Sequence, residues 1–106
     1  PSESMNPTLR SGDVALVDTW AYKQHAPAIN DILIVKRSAT GLVLAKRLKD
    51  IRKLVGQTEL YIVGDNQNYS VDSRRFGWIT DEYLIGEVKF IWFSFLDKSR
   101  YLTRIK

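Results

Sequence analysis

The sequence has 106 residues, 44% of them hydrophobic, enough for one small domain with a buried core and little room for a second. It has no cysteine, which excludes a disulfide scaffold, a thiolate zinc site and a cysteine nucleophile. Sixteen Lys and Arg against twelve Asp and Glu give a net charge of +4. The densest basic run lies at 46–53 (KRLKDIRK), and it reads either as a solvated face or as attraction to phosphate or lipid headgroups. No stretch approaches the roughly 18–20 apolar residues of a membrane span, and no signal-peptide pattern is visible.

Short strands are expected through most of the chain. Residues 14–17 (Val-Ala-Leu-Val) follow the turn-forming Ser11-Gly12-Asp13. Residues 18–31 form a polar loop with Pro27, in which His25 is the only histidine and reads as a plain surface residue. Residues 32–35 (Ile-Leu-Ile-Val) and 42–45 (Leu-Val-Leu-Ala) are two strands joined as a hairpin around 38–41. A weak helical pattern covers 48–55. Residues 60–63 (Leu-Tyr-Ile-Val) are a further strand, followed by a long polar loop at 64–77. Residues 83–85 and 88–95 are strands split by Gly86, which marks a bulge. The last dozen residues carry a second weak helical signal. The whole predicts a mainly β fold, a small antiparallel β domain that is closed or nearly closed.

Three segments carry candidate chemistry. The first, Pro1 to Leu9 with Ser11-Gly12-Asp13, places Ser4 on a rigid irregular stretch between proline and a turn. A serine there is otherwise an ordinary turn residue. The second ends an apolar strand with Lys46. Burial disfavours an ammonium ion and lowers its pKa toward neutrality, which lets the amine serve as a general base. The plain reading is a strand-end lysine that reaches out to water. The third is the loop 64–77, too rich in hydrogen-bonding side chains for a simple turn. It can order itself through Asx-type bonds and an Asp–Arg pair.

Taken together, the three segments resemble the boxes of the type I signal peptidase family. Ser4-Met5-x-Pro7-Thr8-Leu9-x-x-Gly12-Asp13 is similar to the nucleophile box, and residues 31–36 to the strand before the base. Ala45-Lys46-Arg47 resembles the Lys-Arg box, and Gly64-Asp65-Asn66 through Ser70-x-Asp72-Ser73-Arg74 the last box, with Gly77 and Gly86 beyond. The resemblance implies Ser4 as nucleophile with Lys46 as its base. It implies an oxyanion hole from the Ser2 hydroxyl and the Ser4 N–H, and Ser70 as the hydroxyl that orients the Lys46 amine. It implies Asp72 and Arg74 as a supporting ion pair, and Met5, Leu9, Leu44 and Ala45 as lining for small substrate pockets, residues that otherwise read as core. Lys36, also at a strand end, is the rival base. Such Ser–Lys pairs are a known variant of activated-serine chemistry.

The implied function is serine endopeptidase cleavage of signal peptides from membrane-tethered preproteins after a small-x-small site. No metal, cofactor or nucleic-acid partner is expected. Preprotein signal peptides and a lipid surface are the expected partners, the latter through Trp92 in the aromatic run 92–95. Residues 1–106 are expected to be a single catalytic domain. A candidate nucleophile so near the first residue implies a fragment whose upstream membrane anchor was removed. The catalytic part would then sit on the extracytoplasmic face. Residues 48–53 replace the family's Gly-rich turn, and the stretch from Lys46 to Gly64 is too short for the large inserted β domain of some members. Such a minimal member includes the option of a pilin-processing peptidase of a conjugation system. Two other readings stay open: a self-cleaving repressor-type Ser–Lys protein, and a small β-barrel nucleic-acid binder using Tyr61, Tyr69 and Trp78.

Overall fold

A computed structural model describes residues 3–37 and 40–104. Seven strands form one antiparallel sheet: β1 (Asp13–Asp18), β2 (Ile32–Lys36), β3 (Val43–Leu54), β4 (Gln57–Val63), β5 (Ile79–Thr80), β6 (Leu84–Ser94) and β7 (Thr103–Arg104). Their order is β1-β6-β2-β3-β4-β5, with β7 added to β6. The mainly β expectation holds. The sheet does not close, because β1 and β5 are its two ends among the described residues. β3 turns into β4 through Val55-Gly56 alone, so no inserted domain separates them.

β2 is central and buried on both faces, which explains its unbroken apolar run. Leu33 and Val35 face one core with Leu48, Leu60 and Ile62. Ile32 faces the other with Met5 and Val88, and Ile34 packs against it. Each fully buried side chain of this size contributes about 1.5–3 kcal/mol of transfer free energy.

Two expectations fail. Residues 48–55 are not helical: 48–54 continue β3 and Val55 opens the turn, and the pairing of β3 with β4 runs from Arg47↔Val63 to Leu54↔Gln57. The register slips between Leu48 and Asp50, leaving Lys49 as the extra residue of a bulge. The helix expected over the last dozen residues is instead a 3₁₀ turn (Lys98–Arg100) followed by β7. The strands expected at 83–85 and 88–95 are one strand, β6. Its register against β2 passes from Ile34↔Gly86 to Val35↔Leu84, so the expected bulge does lie beside Gly86. The polar loop before β2 contains a helical turn, α1 (Ala21–Gln24). The loop 64–77 contains a 3₁₀ turn (Gln67–Tyr69) and α2 (Ser73–Phe76).

Candidate active site

Register decides which face each residue of β3 serves, because cross-strand partners point to the same side. Lys46 pairs with Leu33 and therefore lies on the first-core face. Arg47 pairs with Ile32 and lies on the opposite face, where Met5 and Leu9 pack. One strand thus sends adjacent side chains to two different tasks.

Ser4 sits buried in a 3₁₀ turn (Glu3–Met5), next to Met5, which packs on the Arg47 side. The Ser4 carbonyl accepts from the Asn66 N–H at 2.7 Å. Met5 Sδ accepts from the Asp65 N–H at 3.4 Å. The Thr8 hydroxyl donates to Asp65, which also receives a two-pronged bond from Arg47, Nε and Nη2 each at 2.8 Å. Burial alone raises the Asp65 carboxyl, but the bonds from Arg47 and Thr8 outweigh it and hold the group below its ordinary range. The segment from Ser4 to Thr8 is therefore pinned to the loop after β4 by main-chain, sulfur and charged contacts.

On the other face Lys46 is only 4% exposed. Its Nζ donates to Ser70 Oγ at 3.2 Å, and Ser70 Oγ donates to Asp72 Oδ2 at 2.6 Å. Burial lowers the Lys46 pKa. Asp72 opposes that shift and Arg74 adds to it, and the net direction is down. An amine that donates one hydrogen to Ser70 has its rotation fixed.

The two halves meet at Gly64. A methyl group there would lie 2.2 Å from Ser70 Oγ and 2.6 Å from the Ser4 carbonyl oxygen, so only a glycine lets them come this close. The Gly64 N–H donates to Asp72 Oδ2 at 2.8 Å. Asp72 is fully buried and caps α2, accepting from the Arg74 N–H at 3.1 Å and from its guanidinium at 2.9 and 2.6 Å. Burial raises its carboxyl, and the bonds from Arg74, Ser70 and Gly64 overcome this and hold it well below the carboxylate range. The expected Asp72–Arg74 pair is therefore present.

Asp72→Asn removes a buried, multiply bonded carboxylate, and a loss of roughly 3 kcal/mol is expected. A carboxyl with a depressed folded-state pKa stabilises above its unfolded value of 3.8, and that contribution fades as pH falls through the folded value. Wild type should show this acid-side loss and the Asn variant should not. Asp72 also raises the Lys46 pKa, so its removal should move the acidic limb of any rate profile that depends on Lys46 to lower pH. Thermal melts against pH, with the rate profile, check both.

Of the other expected site residues, Met5 and Leu9 pack with Ile32 and Val88 on the second-core face, and Ala45 shares that face through its pairing with Ile34. Leu44 packs against the first core instead. Ser2 lies outside the described residues. Lys36 ends β2 exposed. His25 is exposed, edge-on to the Tyr22 ring at 5.6 Å. The sequence reading matched Thr8, Arg47 and Asp65 to boxes without seeing that they bond one another, and it missed the Asn66 contact. An acid inside Gly64-Asp65-Asn66 and an arginine beside the candidate base were the available signals.

The signal peptidase (peptidase S26) family model matches residues 38–93 of the chain. The chain belongs to that family. The match includes Lys46, Ser70, Asp72 and Arg74, and begins after Ser4. A probable signal peptidase I-1 of Synechocystis sp. is 25% identical over 88% of this chain and 68% of its own length. Signal peptidase I of Buchnera aphidicola subsp. Baizongia pistaciae is 38% identical over 42% of the chain and 14% of its own length. Its counterpart in subsp. Acyrthosiphon pisum is 30% identical over 58% and 19%. The chain thus spans less than a fifth of the length of the two Buchnera relatives. Membership places the chain among proteases of signal-peptide processing.

Proposed function

We propose that the chain is a serine endopeptidase that cleaves signal peptides from membrane-tethered preproteins, with Ser4 as nucleophile and Lys46 as general base. The observation that carries this reading is the buried Lys46 amine, held by Ser70 beside the glycine that also touches the Ser4 carbonyl.

In this reading neutral Lys46 takes the Ser4 hydroxyl proton as Oγ attacks the scissile carbonyl carbon. The resulting oxyanion is bound by the Ser4 N–H and the Ser2 hydroxyl. The C–N bond then breaks, and the Lys46 ammonium returns its proton to the leaving amine. Lys46 next deprotonates water, and the hydroxide attacks the Ser4 ester carbonyl. The C–O bond to Ser4 Oγ breaks, and the Lys46 ammonium returns its proton to Oγ as the acyl group leaves as an acid. Ser70 orients the amine throughout, and the Asp72–Arg74 pair holds Ser70.

The sheet offers a place for the substrate. Residues 43–46 of β3 pair with β2 on one edge, and β4 joins the other edge only from Arg47 onward. An extended peptide can add as a strand along that open edge, directly beside Lys46. The two small residues of a small-x-small site are two apart on an extended strand and point to one face. Met5, Leu9 and Ala45, which share a face of the sheet, are therefore assigned to their pockets, and Leu44 lies on the other face. Cleavage of a small-x-small reporter peptide, lost in Ser4→Ala and in Lys46→Met, is the experiment that tests the reading.

The surrounding protein is proposed to be membrane-anchored, with this domain on the extracytoplasmic side. No helix among the described residues is long and apolar enough to cross a membrane. Lipid contact is assigned to the end of β6 and the arm after it. Trp92 is 45% exposed, and Phe95, Leu96, Tyr101 and Leu102 are exposed beside it. The Leu102 N–H donates to the Trp92 carbonyl, which brings the backbones of the two stretches together. Tryptophan suits a bilayer interface because its ring is apolar while its N–H stays wet. With Trp20→Phe and Trp78→Phe in place, Trp92 fluorescence should shift to the blue on addition of anionic vesicles. Detergent or lipid should raise activity. A spectrum unchanged by vesicles places the lipid-facing surface elsewhere.

A further inference from the structure

We propose that Arg100 is a positioning residue for the nucleophile segment, gripping it from the C-terminal arm. The inference rests on the reading that Ser4 is the nucleophile.

Arg100 ends the 3₁₀ turn Lys98–Arg100, which Asp97 caps by accepting from the Ser99 N–H at 3.0 Å and its hydroxyl at 2.6 Å. The arm is thereby shaped to turn one guanidinium inward. That side chain is 11% exposed and its partner Asp13 only 4%. Arg100 Nε donates to Asp13 Oδ1 at 3.1 Å and Nη2 to Oδ2 at 2.8 Å, a planar fork on a carboxylate. Nη2 also donates to the Thr8 carbonyl at 2.9 Å. Asp13 in turn accepts from the Arg10 N–H at 2.8 Å.

Residues 8–13 are therefore fixed through Thr8, Arg10 and Asp13 by one arginine about ninety positions away. Thr8 is the meeting point. Its hydroxyl is tied to Asp65 and hence to Arg47, while its carbonyl is tied to Arg100. The Leu9 N–H closes back on the Met5 carbonyl at 2.9 Å, next to Ser4. Displacement at Thr8 thus passes to the turn that holds Ser4, and catalysis is sensitive to misplacement on the scale of an ångström. Arg100 lies beyond the residues matched by the family model.

The arm stays attached without this side chain. Ser94 pairs with Asp13 in the β1–β6 ladder, and the Phe95 N–H donates to the Gly12 carbonyl at 2.8 Å. Arg100→Ala should therefore fold. Its kcat for the reporter peptide should fall about 10- to 100-fold, with KM within about twofold. Asp13→Asn should match it, and the double variant should be no worse than either single. Arg100→Lys, which keeps the charge but loses the fork, should recover activity only in part.

A structural staple alone would give a different pattern. Leu60→Val, in the first core, serves as a control with a comparable loss of melting temperature and an unchanged kcat. If Arg100→Ala loses no more kcat than this control, the proposal is overturned. Amide hydrogen exchange reads the clamp independently of chemistry. Exchange over residues 5–13 should quicken in Arg100→Ala and not in Leu60→Val. If Ser4→Ala cleaves as well as wild type, the nucleophile assignment fails on its own account. Exchange then decides the clamp, and unchanged protection over 5–13 overturns it.

Discussion

Lys46→Met should abolish reporter cleavage, by about 10⁴- to 10⁶-fold in kcat, without lowering the melting temperature. The two halves of that expectation have one cause. Lys46 is almost wholly buried, and burial is what depresses its pKa. A neutral amine at working pH is a usable base, but the same burial makes its protonated form costly to the fold. Methionine fills the same space, carries no charge and asks for no proton. The linkage gives the sign. A lysine whose folded pKa lies below the ordinary 10.5 loses its proton in the folded state at a pH where the unfolded chain still holds it, so stability rises with pH between those two values. The melting temperature of wild type should therefore climb relative to Lys46→Met as pH rises toward that upper limit. Ser4→Ala should be equally inactive, and the double variant no worse than either single, because the two groups act as one unit. Lys36→Ala should keep its activity. If Lys36→Ala is inactive and Lys46→Met active, the base is Lys36.

Why the fold was partly legible, and where it was not, follows from how strands display their side chains. The runs at 14–17, 32–35 and 60–63 each lie inside a real strand, because apolar β-branched stretches bounded by Gly, Asp and Asn leave few other options. Residues 48–55 misled for a specific reason. The bulge at Lys49 adds one residue to β3, so Leu48 and Ile51, three apart, both reach the first core. A spacing of three on one face is the mark of a helix. A single-residue slip in a strand imitates it, and only the partner strand reveals the slip. β5 and β7 have two residues each and leave no periodic trace.

The candidate site is legible in part, since its box residues are local in the sequence while their contacts are not. Ser70, Asp72 and Arg74 sit within five positions, and the structure joins them directly. The bonds from Arg47 to Asp65, from Asn66 to Ser4 and from Arg100 to Asp13 cross 18, 62 and 87 positions. No spacing rule pairs residues over such distances. Charge alone leaves Asp13 with sixteen candidate partners among the Lys and Arg of the chain.

Gly64→Ala should cost at least as much activity as losing a hydrogen bond in the site, about 10²-fold or more in kcat. The added methyl meets Ser70 Oγ at 2.2 Å, Ser70 Cβ at 2.6 Å and the Ser4 carbonyl oxygen at 2.6 Å. None of these is the loose end of a long side chain. Ser70 is held by Lys46 and Asp72, and the Ser4 carbonyl by Asn66. Relief therefore requires the Ser4 segment and the Ser70 loop to move apart, and in the proposed mechanism these are the two halves that cleavage needs together. Overpacking of this kind also costs about 1–3 kcal/mol of stability. Gly56→Ala separates the two effects. Gly56 sits in the β3–β4 turn at φ +73° with nothing within 4 Å of the added methyl, so that variant bears backbone strain and no collision. It should lose stability and keep kcat, whereas Gly64→Ala should lose both. If Gly64→Ala keeps its kcat, the close approach of Ser4 and Ser70 around this glycine plays no part in cleavage. The open edge of β3 beside Lys46 would then be where the reacting groups must be sought.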